Sequence, residues 1–261
     1  MMMGSDVHCV IHRYLFIVCL LSAGATADTV TFLIAAGTVE PYQIVSDDPG
    51  RTPHSGILID VLRQALSKTD IQLEFVERPY KRIRMDILAN RHQNWISYGS
   101  PSWLDERLRA VGEYTQQPIL QAHYVMATMR RAELPSLDDI HGKRVITILG
   151  YNYFSGFDAW VKTHDITLVS APSHRHALAM LKQGRGDFYL AEDVRVRWEL
   201  SRGDMRMSDL QLLDFSSVIP PSRLYLLLDA RMPGRVKEQI NTRLLQLHRE
   251  GGMEDILDRY R

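Results

Sequence analysis

The sequence predicts an α/β protein with two lobes, and three observations lead to this fold class. Strand-like apolar stretches alternate with amphipathic helical stretches almost throughout, which favours largely parallel sheets flanked by crossover helices. The strands are too numerous for one sheet of ordinary size, so two sheets in two lobes are expected. The composition is that of a globular protein, since 45% of the 261 residues are hydrophobic.

The first part of the chain alternates strand and helix signals. An alternating and then apolar run at 29–37 predicts a buried first strand, and the turn-rich segment DDPGRTPHSG follows it. Apolar residues at helical spacing predict an amphipathic helix at 56–68. A strand at 71–77, a helix at 80–91 and a strand at 94–100 continue the alternation.

The second part repeats the pattern. Strands are predicted at 123–129, 144–150, 166–172, 187–192, 210–215 and 224–231. Helices are predicted at 154–164, 174–184, 194–203 and 233–251, followed by a short final helix. Gly184 and Gly251 mark helix ends, and Pro233 lies near a helix start.

The charge balance argues against two classes of partner. The chain has 31 basic and 31 acidic side chains, so its formal net charge is zero. Nucleic acids and acidic membrane surfaces are recognised through a basic footprint, which this composition does not provide. We therefore expect no nucleic-acid or membrane-surface partner.

The N-terminal segment is predicted to be a cleaved signal peptide. His12 and Arg13 precede an apolar run at 14–21, which is short for a membrane span. Small residues then end in Ala25-Thr26-Ala27, the A-x-A pattern of a cleavage site, so cleavage is expected before Asp28.

The positions of the cysteines limit the chemistry of the mature chain. Both of them, Cys9 and Cys19, lie inside the predicted signal peptide. The mature chain therefore has no disulfide, thiolate nucleophile or cysteine-ligated metal. We expect a periplasmic protein that carries no cofactor and no metal.

Six segments, taken in order, resemble one known family. They are PYQIVSDDPGRTPHSGILIDVLRQAL, EFVERPYKRIRMDILANR, DERLRAVGEYTQQP, HGKRVITILGYNY, ALAMLKQGRGDFYLAED and INTRLLQLHREGGMEDILDRY. Together they resemble the family 3 extracellular solute-binding proteins, the periplasmic receptors of amino-acid ABC importers. Leu58 and Asn94 stand where the family commonly has Asp, which indicates a divergent member.

The resemblance implies a type II periplasmic-binding-protein clamshell that closes on a ligand by hinge motion. The first lobe would comprise residues 28–121 and 226–261, and the second lobe residues 122–225. A monomer is expected. No catalytic residue is implied.

The resemblance also implies two charged ligand anchors. The family's ER arginine matches Arg107 and would make paired contacts with a ligand α-carboxylate, helped by Ser100 in the preceding loop. Glu192 matches the family's acid in the opposite lobe and would bind the ligand's amino group. The alternatives are a solvated helix charge for Arg107 and a helix N-terminal acid for Glu192.

Aromatic and amide side chains complete the implied ligand site. Tyr42 and Tyr80 match pocket-lining aromatic positions, with core or rim packing as the alternative. Asn152 matches a polar contact at the start of a helix in the second lobe. Tyr98 and Trp103 are further candidates.

The resulting functional hypothesis is a periplasmic solute-binding protein. It would capture a small zwitterionic or amino-acid-like ligand for an inner-membrane ABC permease or a sensor. Two alternatives remain open. One is a cyclohexadienyl dehydratase-like enzyme on the same fold, with Glu192 as proton donor; the other is a signalling module without a transport role.

Overall fold

The computed structural model describes residues 28–37, 39–101, 103, 106–130, 136–151 and 153–261. The predicted signal peptide, residues 1–27, and the candidate ligand residue Asn152 lie outside the described residues. Two mixed sheets, each packed against helices, form two lobes. The α/β fold class predicted from the alternation of elements is therefore confirmed.

The secondary structure follows the predicted alternation closely. The strands are β1 (Thr29–Ala36), β2 (Gln72–Pro79), β3 (Trp95–Gly99), β4 (Gly112–Tyr114), β5 (Leu120–Ala122), β6 (Tyr124–Met129), β7 (Arg144–Ile148), β8 (Thr167–Ala171), β9 (Phe188–Glu192), β10 (Leu210–Asp214) and β11 (Ser222–Asp229). The α-helices are α1 (Ile57–Leu66), α2 (Tyr80–Leu88), α3 (Glu106–Val111), α4 (Phe157–Thr163), α5 (His174–Lys182), α6 (Asp193–Ser201), α7 (Gly234–Arg249) and α8 (Gly252–Asp258).

The first lobe is built on a six-stranded sheet. Its strand order is β2-β1-β3-β11-β4, and β5 also pairs with β11. Strand β1 runs parallel to β2 and β3, whereas β11 runs antiparallel to β3, β4 and β5. Strand β11 therefore joins the parallel half of the sheet to its short antiparallel strands.

The second lobe is built on a five-stranded sheet. The order is β10-β6-β9-β7-β8, with parallel pairing of β7 to β8 and β9 and antiparallel pairing of β6 to β9 and β10. Helix α5 packs on this sheet, and α6 packs on β6 and β9. All five strands are contiguous in the sequence.

Helices cover the first-lobe sheet because their apolar stripes match its faces. The side chains that α1 buries are Ile57, Leu58, Ile59, Val61, Leu62, Ala65 and Leu66. They join a core that includes Val236, Ile240 and Leu244 of α7. On the other face, Ile83 and Ile87 of α2 pack with the fully buried Trp95.

The chain passes between the lobes at two neighbouring strands. It leaves the first lobe after β5 and returns to it at β11, and these two strands pair with each other. The paired residues are Ser222 with Ala122, Arg223 with Gln121 and Leu224 with Leu120. The lobe boundaries at 121/122 and 225/226 stay a prediction.

Three short elements were not predicted from the sequence. They are α3, β4 and β5, which lie within or just after the segment that contains Arg107. Helix α3 has six residues, and its half-buried Leu108 and Val111 form an apolar stripe too short to show helical periodicity. Strands β4 and β5 have three residues each, too few to show alternation.

Gly56 fixes the loop before α1. Its φ of +112° is one that L side chains rarely adopt, and a Cβ there would lie 2.8 Å from the carbonyl oxygen of Tyr42. The close approach lets Ile57 N–H donate to the Pro41 carbonyl and Leu58 N–H to the Tyr42 carbonyl, both at 3.0 Å. The first turn of α1 is thereby satisfied, and Tyr42 is held in place.

We expect Gly56→Ala to destabilise the protein by ~2–3 kcal/mol, since it combines backbone strain with a clash against the backbone. Gly37→Ala is the matched control, because Gly37 has a similar φ of +119° but nothing within 4 Å of its added Cβ. Urea unfolding of both variants measures the difference. If Gly56→Ala and Gly37→Ala lose the same free energy of unfolding, the close backbone approach at Gly56 does not add to the destabilisation.

Candidate functional site

The candidate site lies where the two lobes meet. Tyr42 comes from the loop after β1, and Tyr98 from the end of β3. In the second lobe, Tyr151 follows β7, and Glu192 ends β9. Carboxyl ends of sheet strands commonly present ligand-binding side chains in open α/β folds.

A buried ion pair occupies the centre of this site. Glu192 is 4% exposed and precedes α6, and Arg195 in the first turn of that helix is 6% exposed. Arg195 Nε donates to Glu192 Oε2 at 2.6 Å. Arg195 Nη1 donates to the backbone carbonyl of Glu40 in the first lobe at 2.7 Å.

Tyrosine rings surround the guanidinium. Arg195 Cζ lies 4.5 Å from the centroid of the Tyr42 ring and 5.9 Å from that of Tyr151. The Tyr42 ring is 6.3 Å from the Tyr98 ring. Aromatic faces attract cations at such distances, and the attraction is stronger where water is excluded.

The second lobe adds a further group of aromatic side chains. Tyr124, Tyr151, Tyr153, His174, Leu190, Ala191, Glu192 and Arg195 line a cavity of about 10 Å³. That volume accommodates about one water molecule. We call the space enclosed by Tyr42, Tyr98, Tyr124, Tyr151, Tyr153, Glu192 and Arg195 the tyrosine cleft.

Charge in the tyrosine cleft is confined to the ion pair. Burial raises the pKa of the hydroxyls of Tyr42, Tyr98, Tyr124 and Tyr153 well above their usual range, and the Glu192 charge acts in the same direction. Burial alone would lower the pKa of Arg195, but the Glu192 charge and the neighbouring tyrosines hold it above its usual value. The walls are therefore neutral around one cation and one carboxylate.

His174 belongs to a hydrogen-bonded chain behind this wall. Its Nε2 lies 3.2 Å from the Tyr151 hydroxyl, and its Nδ1 is hydrogen-bonded to the Tyr189 hydroxyl. Burial first, and then the Arg195 charge, lowers the pKa of His174 from 6.5 to about 3. His174 is therefore neutral at physiological pH.

This histidine is expected to make stability depend on pH. The unfolded chain takes up a proton at His174 near pH 6.5, whereas the folded protein resists it until about pH 3. Stability should consequently fall on acidification, by about 2 kcal/mol between pH 7.5 and pH 5 from this group. Tyr151, Tyr189 and Arg195 are the titratable or charged groups that act on it.

His174→Gln should remove that part of the pH dependence, which unfolding at both pH values measures. The matched control is His176→Gln, since His176 is exposed on the same helix and contacts Ser173. The expectation is wrong if the free energy of unfolding of the wild type and of His174→Gln changes equally with pH.

Helix α6 connects the two lobes beside the tyrosine cleft. Trp198 Nε1 donates to Glu40 Oε2 at 3.2 Å, and its ring lies 5.4 Å from that of Tyr260. Val194 and Trp198 pack into the hydrophobic core of the first lobe. A helix of the second lobe therefore holds the first lobe through apolar and polar contacts.

The structure brings some of the predicted site residues together and separates others. Tyr42, Tyr98 and Glu192 meet at the tyrosine cleft, and Ser100 is buried just beyond the end of β3. Arg107 is exposed on α3. Tyr80 is 67% exposed and Trp103 is 50% exposed. The ligand-binding roles of these residues stay predictions.

Sequence reasoning missed Arg195, although a signal for it is present. Glu192 is the N-cap residue and Arg195 the N3 residue of α6, the spacing at which the side chains of a capping box reach toward each other. Tyr151 and Tyr153 were also missed, and they alternate directly after the predicted strand. Glu40 and Trp198 carry no local signal, because their contact depends on how the lobes pack.

No protein-family model and no curated protein matches the chain. Within the described residues, no helix has the length and hydropathy of a membrane span. Among the same residues, no group of three or more His, Cys, Asp or Glu side chains could hold a metal ion.

Several solved structures share the fold at low sequence identity. A structure from work on glutathione import via GshT and the cystine ABC importer TcyBC of Streptococcus mutans has 18% identity and a TM-score of 0.69, covering 90% of this chain and 95% of the other. The ancestral cationic amino acid solute binding protein AncCDT-1 has 14% identity and a TM-score of 0.68, with coverages of 89% and 95%. Substrate-binding domain 2 of Lactococcus lactis GlnP, in an open conformation, has 16% identity and a TM-score of 0.66, with the same coverages.

These similarities define the class of fold. The chain has the two-lobed architecture of type II periplasmic binding proteins, and its structural neighbours include the substrate-binding protein of an amino acid ABC transporter and the BvgS VFT2 domain of Bordetella pertussis. The tyrosine cleft lies between the lobes of this architecture.

Proposed function

We propose that this protein is a periplasmic solute-binding protein for a small amino-acid-like ligand. It would hold the ligand between its lobes and deliver it to an inner-membrane ABC permease or to a sensor. The observation that carries the proposal is a buried carboxylate, Glu192, enclosed by tyrosine rings where the lobes meet. A carboxylate among aromatic faces recognises an ammonium or guanidinium group.

The proposed roles divide between the lobes. Glu192 in the second lobe would bind the ligand's cationic group, and Tyr42 and Tyr98 in the first lobe would cover it. Arg107 would bind the ligand's carboxylate, because an exposed guanidinium is open to bidentate pairing. No chemical step is required, since ligand binding shifts an equilibrium between open and closed lobes.

Thermal unfolding of the purified protein with a panel of amino acids, polyamines and organic acids tests the proposal. A ligand at ~100 times its Kd should add ~2.7 kcal/mol of stability. We expect an amino-acid-like compound to raise the Tm. If no compound in the panel raises it, the proposed function loses its basis.

Arg107→Ala tests the proposed carboxylate anchor. Loss of a paired carboxylate contact should weaken binding of the active compound by at least ~10-fold. Arg249→Ala is the matched control, since Arg249 is also an exposed arginine of a first-lobe helix. Unchanged affinity in Arg107→Ala would assign the carboxylate to another residue.

The dehydratase alternative has a direct assay. Incubation with prephenate or arogenate is expected to give no phenylpyruvate or phenylalanine. Product formation that Glu192→Gln abolishes would contradict the binding-protein proposal and assign Glu192 as the proton donor.

A further inference from the structure

We propose that Arg195 is an internal ligand of the tyrosine cleft. Its guanidinium takes the place of an external cation, and a cationic solute binds by exchanging with it. The proposal deepens the proposed function and rests on it for the location of the solute. The ligand class follows from the occupant: a compound bearing a guanidinium or a primary ammonium group.

The first argument is that the contacts of Arg195 have the chemistry of a recognition site for a guanidinium group. A carboxylate accepts from its Nε at 2.6 Å, and a backbone carbonyl accepts from its Nη1 at 2.7 Å. A tyrosine face lies 4.5 Å from Cζ. These are the charge-assisted hydrogen bonds and aromatic contacts through which proteins bind guanidinium groups.

The second argument is that the contacts come from both lobes. Glu192 and Tyr151 belong to the second lobe, as does Arg195 itself. Glu40 and Tyr42 belong to the first lobe. The guanidinium thus bridges the lobes in the way that a captured solute would.

The third argument is volume. With Arg195 in place, the cavity on the second-lobe side of the tyrosine cleft, beside Glu192, measures about 10 Å³, whereas small-molecule sites usually offer ~300 Å³ or more. An amino acid therefore cannot enter the tyrosine cleft beside Arg195. It enters when the lobes open and this side chain leaves.

The exchange favours cations for an energetic reason. Withdrawal of Arg195 leaves Glu192 buried without a counter-ion, a costly state that an incoming cation relieves. Anionic and neutral solutes provide no such compensation. The tethered guanidinium competes with every free cation. The apparent affinity of the protein for a cation is therefore the intrinsic affinity multiplied by the fraction of molecules whose cleft Arg195 has left.

The test is the affinity of Arg195→Ala for agmatine and arginine, with glutamate as an anionic control. Calorimetric titration of the full protein should show agmatine or arginine binding at least ~10-fold tighter than in the wild type. The bound cation should also raise the Tm of the variant. Glutamate should do neither.

Arg197→Ala is the matched control. Arg197 lies two residues further along the same helix and forms a partly exposed pair with Asp193 at 3.4 Å. Its removal should leave the affinity for cations unchanged. The double variant Glu192→Gln/Arg195→Ala should lose the gain, because the carboxylate that attracts the cation is absent.

If Arg195→Ala is not recovered folded, Arg195→Gln replaces it, since its amide still donates to Glu192. The proposal is overturned if the folded variant binds no cation more tightly than the wild type, or if the double variant retains the gain. Cation binding gained by the variant alone, with no ligand for the wild type, supports the internal ligand but contradicts both the exchange and the proposed function. A ligand that binds the wild type and Arg195→Ala with equal affinity supports the proposed function and contradicts the internal ligand.

Discussion

Replacing Glu192 by alanine is expected to destabilise the folded protein by ~3–5 kcal/mol. The change leaves the Arg195 guanidinium buried and without the carboxylate that lies 2.6 Å from its Nε. Its contacts to the Glu40 carbonyl and to the Tyr42 and Tyr151 rings carry no full negative charge. Urea unfolding followed by tryptophan fluorescence measures the loss.

The control for this prediction is the neutral double variant Glu192→Gln/Arg195→Met. Replacement of a whole buried ion pair by side chains of similar size is often nearly neutral, so its stability should lie within ~2 kcal/mol of the wild type. A loss below ~1 kcal/mol in Glu192→Ala would mean that the pair is hydrated in solution.

Trp198→Ala is the second substitution with a large expected effect. Truncation of a tryptophan that is 9% exposed should cost ~3–5 kcal/mol. The change also removes the packing on Tyr260 and the hydrogen bond to Glu40, both of which join the lobes. We therefore expect a larger radius of gyration by X-ray scattering as well as a lower Tm.

Two variants separate the contributions of this side chain. Trp198→Phe keeps an aromatic ring but loses the indole N–H. It should therefore lower the free energy of unfolding less than Trp198→Ala does. Trp103→Ala, at a half-exposed residue, should change stability by no more than ~0.5 kcal/mol. An unchanged radius of gyration in Trp198→Ala would show that other contacts hold the lobes together.

Most of the fold could be predicted because its longer elements carry strong patterns. The apolar stripe of α1 and the buried runs of β1 and β9 identify their structure locally. Helix α3 could not be found in this way, because its six residues give only one apolar pair, the half-buried Leu108 and Val111, which is too short to show periodicity.

The candidate site was predicted only in part, for a similar reason. Glu192 and Tyr42 were found by resemblance to a family, which identifies positions that face a cleft. Arg195 lies outside the segments that resemble the family, and under our proposal it takes the place of an external ligand there. Its partner Glu40 lies 155 residues earlier, and their contact exists only in the folded chain.

The position of β11 has a consequence for the order in which the chain folds. This strand lies between β3 and β4, yet it follows the whole second lobe in the sequence. During synthesis all five strands of the second-lobe sheet, contiguous from β6 to β10, are made before β11, so β3 still has an unpaired edge at that stage. The first lobe therefore matures last although it begins first, and its hydrophobic core closes only after the C-terminal helices have arrived.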